Sequence, residues 1–231
     1  ADPRVSARRA TARRIGVFGG TFDPIHLAHL RCAEEAREQL GLERVLFIPA
    51  ADPPHKTQRR VTPARHRVAM VRLAVAGHPA FAVSPIECER RGRSFTVDTL
   101  RALRARLPDA ALTLLIGLDA FRDIGAWREY RSIFGLADLA VWTRAAGRLS
   151  RPRAILPVAA RGDFCYASGT SELLHHTGTR IRFLTVTALD ISATDIRQRS
   201  RRGRSIRYLV PASVERYVTN AGLYRRSRAA S

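Results

Sequence analysis

The sequence predicts one doubly wound α/β domain built on a parallel sheet, and three observations carry that expectation. Short apolar runs alternate along the chain with segments of helical spacing. Those runs are continuously apolar rather than apolar at every second residue, as strands covered on both faces are. The segments between them are long enough to cross over from one parallel strand to the next. With 231 residues, 45% of them hydrophobic, the chain can bury one substantial core.

The elements follow in order. Residues 1–13 are rich in Arg and Ala, lack large apolar side chains apart from Val5, and read as a basic, flexible tail. RIGVFGG, residues 14–20, is the first strand. In HLAHLRCAEEAREQLG, Leu27, Leu30, Ala33 and Ala36 recur at near-helical intervals, and Gly41 is a natural C-terminal cap. Pro24 fits the first turn of this helix. RVLFIPA is the second strand, followed by the long, polar, Pro-punctuated connection ADPPHKTQRRVTP, residues 51–63, a candidate substrate loop. PARHRVAMVRLAVAG is helical from Pro63 to Gly77, and FAVSPI is a strand. TVDTLRALRARLP carries Val97, Leu100, Leu103 and Leu107 on one stripe, with Pro108 as the stop. LTLLIG, DLAVWT and IRFLTVTAL complete the strands, and ISATDIRQRS opens a small C-terminal helical part. The domain is expected to span 14–222, with a second basic tail at 223–231.

The formal net charge is +20, which attracts anionic partners. The arginines are scattered over the whole length and only 7% of residues are aromatic, so small phosphorylated substrates fit better than a specific nucleic-acid partner. No stretch reaches the ~18 to 20 apolar residues of a membrane span, and the Arg-rich start does not resemble a secretory signal. A cytoplasmic protein without a membrane partner is expected. Cys32, Cys88 and Cys165 match no zinc or disulfide spacing.

Two segments carry chemistry. In GGTFDPIHLAHL, residues 19–30, Gly19 and Gly20 let backbone amides approach a phosphate, and the helix start behind them favours an anion. His26 and His29 lie three apart, so their imidazoles share one face and can donate to phosphate oxygens. A zinc site would need a third ligand that the spacing does not supply, and two satisfied structural histidines are the bland alternative. The loop is neither a P-loop nor GxGxxG. In ISATDIR, residues 191–197, Ser192 or Thr194 can cap a helix while Arg197 adds a cationic fork. Two helix starts at strand ends make a two-sided phosphate clamp.

GGTFDPIHLAHL, PPHK, SFTVDTL, GLDAF followed by AW, and ISATDIR resemble, in order over about residues 14–220, the signature set of bacterial nicotinate mononucleotide adenylyltransferases. The resemblance implies a Rossmann-like nucleotidyltransferase fold and transfer of the adenylyl group of ATP to nicotinate mononucleotide with Mg2+. It implies direct attack without a covalent intermediate, giving nicotinate adenine dinucleotide and pyrophosphate. Gly19, Gly20, Thr21 and Phe22, with Ser192 and Thr194, would bind ATP; His26, His29 and Arg197 would be catalytic. Lys56, Phe95, Thr96, Asp119, Trp127 and Arg144 would bind the mononucleotide. No protein-held metal is expected, since Mg2+ would sit mainly on the ATP phosphates. Ala28 and Ala193 stand where the family usually has Gly and Ser, and Phe95 where it has Tyr. A sibling enzyme with another acceptor and an RNA-binding protein are the rivals; whether the chain is a monomer or a homodimer does not follow from the sequence.

Overall fold

The computed structural model describes residues 12–53, 61–90, 92–143 and 151–225. Eight strands form one sheet: β1 (Arg14–Gly20), β2 (Arg44–Pro49), β3 (Phe81–Val83), β4 (Ala111–Gly117), β5 (Asp138–Thr143), β6 (Phe164–Tyr166), β7 (Leu173–His175) and β8 (Arg180–Thr185). Their order is β3-β2-β1-β4-β5-β8-β7-β6. Pairing is parallel from β3 through β8. The last two strands, β7 and β6, are antiparallel.

The helices are α1 (Leu27–Leu40), α2 (Ala64–Val75), α3 (Thr96–Arg106), α4 (Leu118–Arg122), α5 (Tyr130–Leu136), α6 (Ala193–Arg201) and α7 (Ala212–Asn220). They cover both faces of the sheet. Val17 and Leu114 point into one core with Val97, Leu100, Phe121 and Phe134 of α3, α4 and α5. Their chain neighbours Phe18 and Leu115 point into the other, with Ala33, Met70, Ile196 and Val214 of α1, α2, α6 and α7. Strand alternation thus feeds two apolar layers, which is why the runs read as unbroken in sequence. Each fully buried Leu, Ile or Phe contributes roughly 1.5–3 kcal/mol by leaving water.

Chain order reverses between β1 and β4: β2 and β3 lie to one side of β1, while β4 and β5 lie to the other. Such a switch point opens a crevice at the carboxyl ends of the strands. Among the described residues no helix is long and apolar enough to cross a membrane.

Several boundaries differ from the expectation. The sheet is mostly rather than wholly parallel, because the short pair β6 and β7 carries too few residues to show a pattern in sequence. The strand expected over 81–86 stops at Val83, and the one expected over 181–189 stops at Thr185. Pro24 lies outside α1: Ile25 is fully buried and the helix starts only after His26. At the other end Gly41 adopts the left-handed conformation (φ 58°), and Leu42 N–H donates back to Arg37 O at 2.9 Å, the closing geometry glycine permits. The packed chain also continues past 222, since Leu223 and Tyr224 lie against the second core.

Candidate active site

Gly19 and Gly20 are the last two residues of β1, paired with β2 at the switch point, and the loop to α1 begins after them. A Cβ on Gly19 would project into open space, leaving its backbone bare to a ligand, whereas one on Gly20 would lie 2.9 Å from the Phe22 ring. Phe22 itself has φ 48° and its side chain is buried beneath the loop, packed edge-on to Phe18 with ring centroids 5.5 Å apart. It supports the loop from inside rather than lining it.

His26 is the N-cap of α1, in extended conformation, and His29 is the third helical residue. The backbone N–H of His26 donates to Nδ1 of His29 at 3.2 Å, as in a capping box. The two rings stack with centroids 3.6 Å apart. An Nδ1 that accepts leaves the His29 proton on Nε2, so the capping bond itself sets the tautomer that can donate to an anion. His26 is 5% exposed, and His29 is only partly covered. The pair is brought together, but by cap geometry rather than by two successive helical turns.

The second helix start meets the first directly. Ser192 caps α6 by accepting from Asp195 N–H at 3.1 Å. Arg197, 4% exposed, donates through Nη2 to Thr194 Oγ1 at 2.9 Å and through Nη1 to the carbonyl of Asp23. A contact spanning 174 positions in sequence thus joins ISATDIR to the GGTFDPIH loop. Ser192 and Thr194 remain exposed.

Beside this clamp a cavity of about 380 Å³ opens between the ends of β1 and β4, within the usual range for small-molecule sites. Gly19, Gly20 and Thr21 line it, as do Phe95, Thr96 and Trp127. Asp119, in the first turn of α4, is not among the lining residues; its side chain is 95% exposed and stands outside the cavity. Lys56 and Arg144 lie outside the described residues. Among the described residues no group of three or more His, Cys, Asp or Glu side chains is arranged to hold a metal ion.

The family model for cytidylyltransferase-like proteins matches residues 17–199. A Trichlorobacter lovleyi protein named "Probable nicotinate-nucleotide adenylyltransferase" is 49% identical over 92% of this chain and 99% of its own length. A Geobacter sulfurreducens protein of the same name is 47% identical over 91% of this chain and 98% of its own. The chain belongs to the nicotinate-nucleotide adenylyltransferase family. It is therefore a nucleotidyltransferase. The fold agrees with that of Plasmodium falciparum nicotinic acid mononucleotide adenylyltransferase complexed with NaAD, at a TM-score of 0.70 and 15% identity, covering 92% of this chain and 97% of the other. At so low an identity the likeness concerns the fold alone.

In this adenylyltransferase several residues join the site that sequence motifs did not single out. Arg128 stands over the Phe95 ring, its guanidinium carbon 4.9 Å from the centroid, and lines the cavity. Glu87 is buried at the cavity wall, where Oε1 accepts from Thr99 Oγ1 at 2.6 Å. Burial pushes its pKa up despite that bond and nearby Arg90. Tyr224 Oη donates to Asp23 Oδ1 at 2.7 Å, and burial together with the Asp23 carboxylate drives its pKa far up. Tyr224 lies within the basic tail expected at 223–231. Arg67 is the one with a legible signal: a cation on the stripe Arg67, Met70, Val71 and Val75, whose other members are apolar and buried.

Proposed function

We propose that this enzyme transfers the adenylyl group of ATP to nicotinate mononucleotide, releasing pyrophosphate and forming nicotinate adenine dinucleotide for NAD synthesis. The observation that carries the reading is the Arg197 contact with the Asp23 carbonyl. It ties α6 to the loop ahead of α1, so that the two candidate anion-binding helix starts lie near the switch point, beside a cavity of about 380 Å³. The names of relatives 45–49% identical over nearly their whole length support the acceptor.

In this reading the phosphate of the mononucleotide attacks the α-phosphate of ATP in line. Its oxygen already carries the negative charge, so no general base is required. The bond to pyrophosphate breaks as the new anhydride bond forms, and the growing charge on the leaving group is met by Nε2–H of His29, by His26 and by Arg197. Gly19, Gly20, Thr21 and Phe22 hold ATP through backbone amides, with Ser192 and Thr194 on the opposite side. Phe95 and Thr96 meet the pyridine ring through their backbone and Trp127 stacks on it, while Asp119, Lys56 and Arg144 hold the ribose and phosphate of the mononucleotide. Magnesium enters as part of the substrate, bound to the triphosphate.

The test mixes the protein with ATP, Mg2+ and either nicotinate or nicotinamide mononucleotide, and measures dinucleotide and pyrophosphate. Turnover with the acid exceeding turnover with the amide is expected. No product from either defeats the reading, and preference for the amide replaces the acceptor. Steeply salt-dependent binding of a polynucleotide without turnover would favour an RNA-binding protein instead.

A further inference from the structure

Arg67 belongs to no motif of the reaction, yet it is among the most deeply buried large side chains, 1% exposed. Its guanidinium spreads three hydrogen bonds over three backbone carbonyls. Nε donates to Thr62 O at 2.7 Å, Nη1 to Thr21 O at 2.8 Å and Nη2 to Ala51 O at 3.0 Å. Thr21 belongs to the phosphate loop; Ala51 and Thr62 are the two ends of the connection between β2 and α2. The same ends are fastened a second time, for Thr62 N–H donates to Asp23 Oδ2 at 3.4 Å and Ala50 N–H to Gly20 O at 2.9 Å.

Packing alone does not call for an arginine here. The rest of the buried face of α2 is Met70, Val71 and Val75, and an apolar side chain would fill the position without the cost of taking a cation out of water. What a planar guanidinium supplies is a rigid fork with several donors at fixed angles, which neither an apolar residue nor the point charge of a lysine reproduces. Of its three acceptors Thr21 itself lines the acceptor cavity, and Ala51 stands in the segment between Ala50 and Pro53, which both line it.

We propose that Arg67 is a positioning residue that fixes the Ala50–Pro53 wall of the acceptor cavity to the phosphate loop, so that acceptor and ATP are held in a single register. Arg67 touches neither reactant; it acts through the three carbonyls. The inference rests on the adenylyl-transfer reading for its kinetic consequence but not for its structural one, and the experiment separates them.

The full chain is compared with Arg67→Lys and Arg67→Met, first by hydrogen exchange without substrates and then by steady-state kinetics in both substrates. Exchange in peptides covering 19–23, 50–53 and 61–63 is expected to rise by about tenfold or more while β4 and β5 stay within about twofold. In the folded variants the KM for the mononucleotide is expected to rise roughly tenfold and kcat to fall roughly tenfold, with the KM for ATP changed less than about threefold, because alignment is lost rather than ATP contacts. Arg67→Lys, which keeps one donor, should fall between wild type and Arg67→Met. A uniform rise in exchange across the sheet, or folded variants with unchanged mononucleotide KM and kcat, overturns the proposal. If neither variant folds, wild type decides: the three segments must open together, at rates within about threefold, and independent opening overturns the tie. A wild type without turnover defeats the adenylyl-transfer reading while the exchange result still judges the tie itself.

Discussion

The candidate phosphate half of the site is held by side chains bonded across long stretches of sequence, whereas the candidate acceptor half is an open cavity whose ring-binding candidates Phe95 and Trp127 are only half-buried, although Glu87 in its wall is buried. In the first, Asp23 receives Arg197 at its carbonyl and Tyr224 and Thr62 at its carboxylate, and His29 is tied to the backbone of His26. In the second, Trp127 and Phe95 are half-buried, Arg128 is held by exposed ion pairs to Asp98 and Glu129, and Asp119 stands in solvent. On the proposed reading the contrast follows from what each half would bind. Charge that develops at a transferring phosphorus is best met by donors fixed beforehand, while a ring and a ribose are gripped by surfaces that can adjust as they arrive.

If that division is right, damage to the two halves should appear in different kinetic constants. The largest effect is expected for His29→Ala, with kcat lowered by roughly 100-fold and the KM for ATP little changed, since the lost donor matters most in the transition state. Circular dichroism should confirm the fold, and near-normal turnover would make the histidine pair structural. Trp127→Ala is expected to raise the KM for the mononucleotide about tenfold through lost ring contact. An equal rise in the KM for ATP would erase the distinction between the halves. Asp119→Asn should raise the KM for the mononucleotide by only about threefold, because an exposed carboxylate interacts weakly until the ligand covers it; a drop in kcat comparable to that of His29→Ala would move Asp119 into the phosphate half.

The smallest effect concerns stability. Glu87 is buried in the acceptor wall and its folded pKa lies above the ordinary carboxylate value of 4.5. The folded chain therefore holds this proton more tightly than the unfolded chain, and the associated stability is present below 4.5 and lost as pH rises through the higher folded value. Glu87→Gln keeps an acceptor for Thr99 without the charge. Its melting temperature relative to wild type should increase as pH is raised from about 4.5 to 8, and a difference that stays flat over this range would place Glu87 in contact with water.

The fold class was legible because an α/β sheet covered on both faces leaves long local signals: unbroken apolar runs, helical stripes and Gly41 at a helix end. The short antiparallel pair β6 and β7 left none, because three residues cannot establish a period. The two candidate phosphate motifs were legible as local patterns as well, since Gly19 and Gly20 stand within ten residues of His26 and His29, and Ser192 caps a helix through Asp195 three positions on. Pro24 misled because a proline before a helix looks the same whether it occupies the first turn or, as here, lies ahead of a histidine cap.

By itself, then, the sequence determined the parallel part of the sheet, the two helix starts at its strand ends and His26 and His29 as neighbours, all local in the chain. Only the tertiary structure decided that Arg197 closes onto Asp23, that Tyr224 belongs to the site rather than to a tail, and that Arg67 gathers three loop carbonyls. Each of these depends on a side chain meeting a backbone group far away in the chain, at distances fixed by how the sheet and helices pack. Such pairings leave at most a charged residue in an apolar stripe as their trace in sequence.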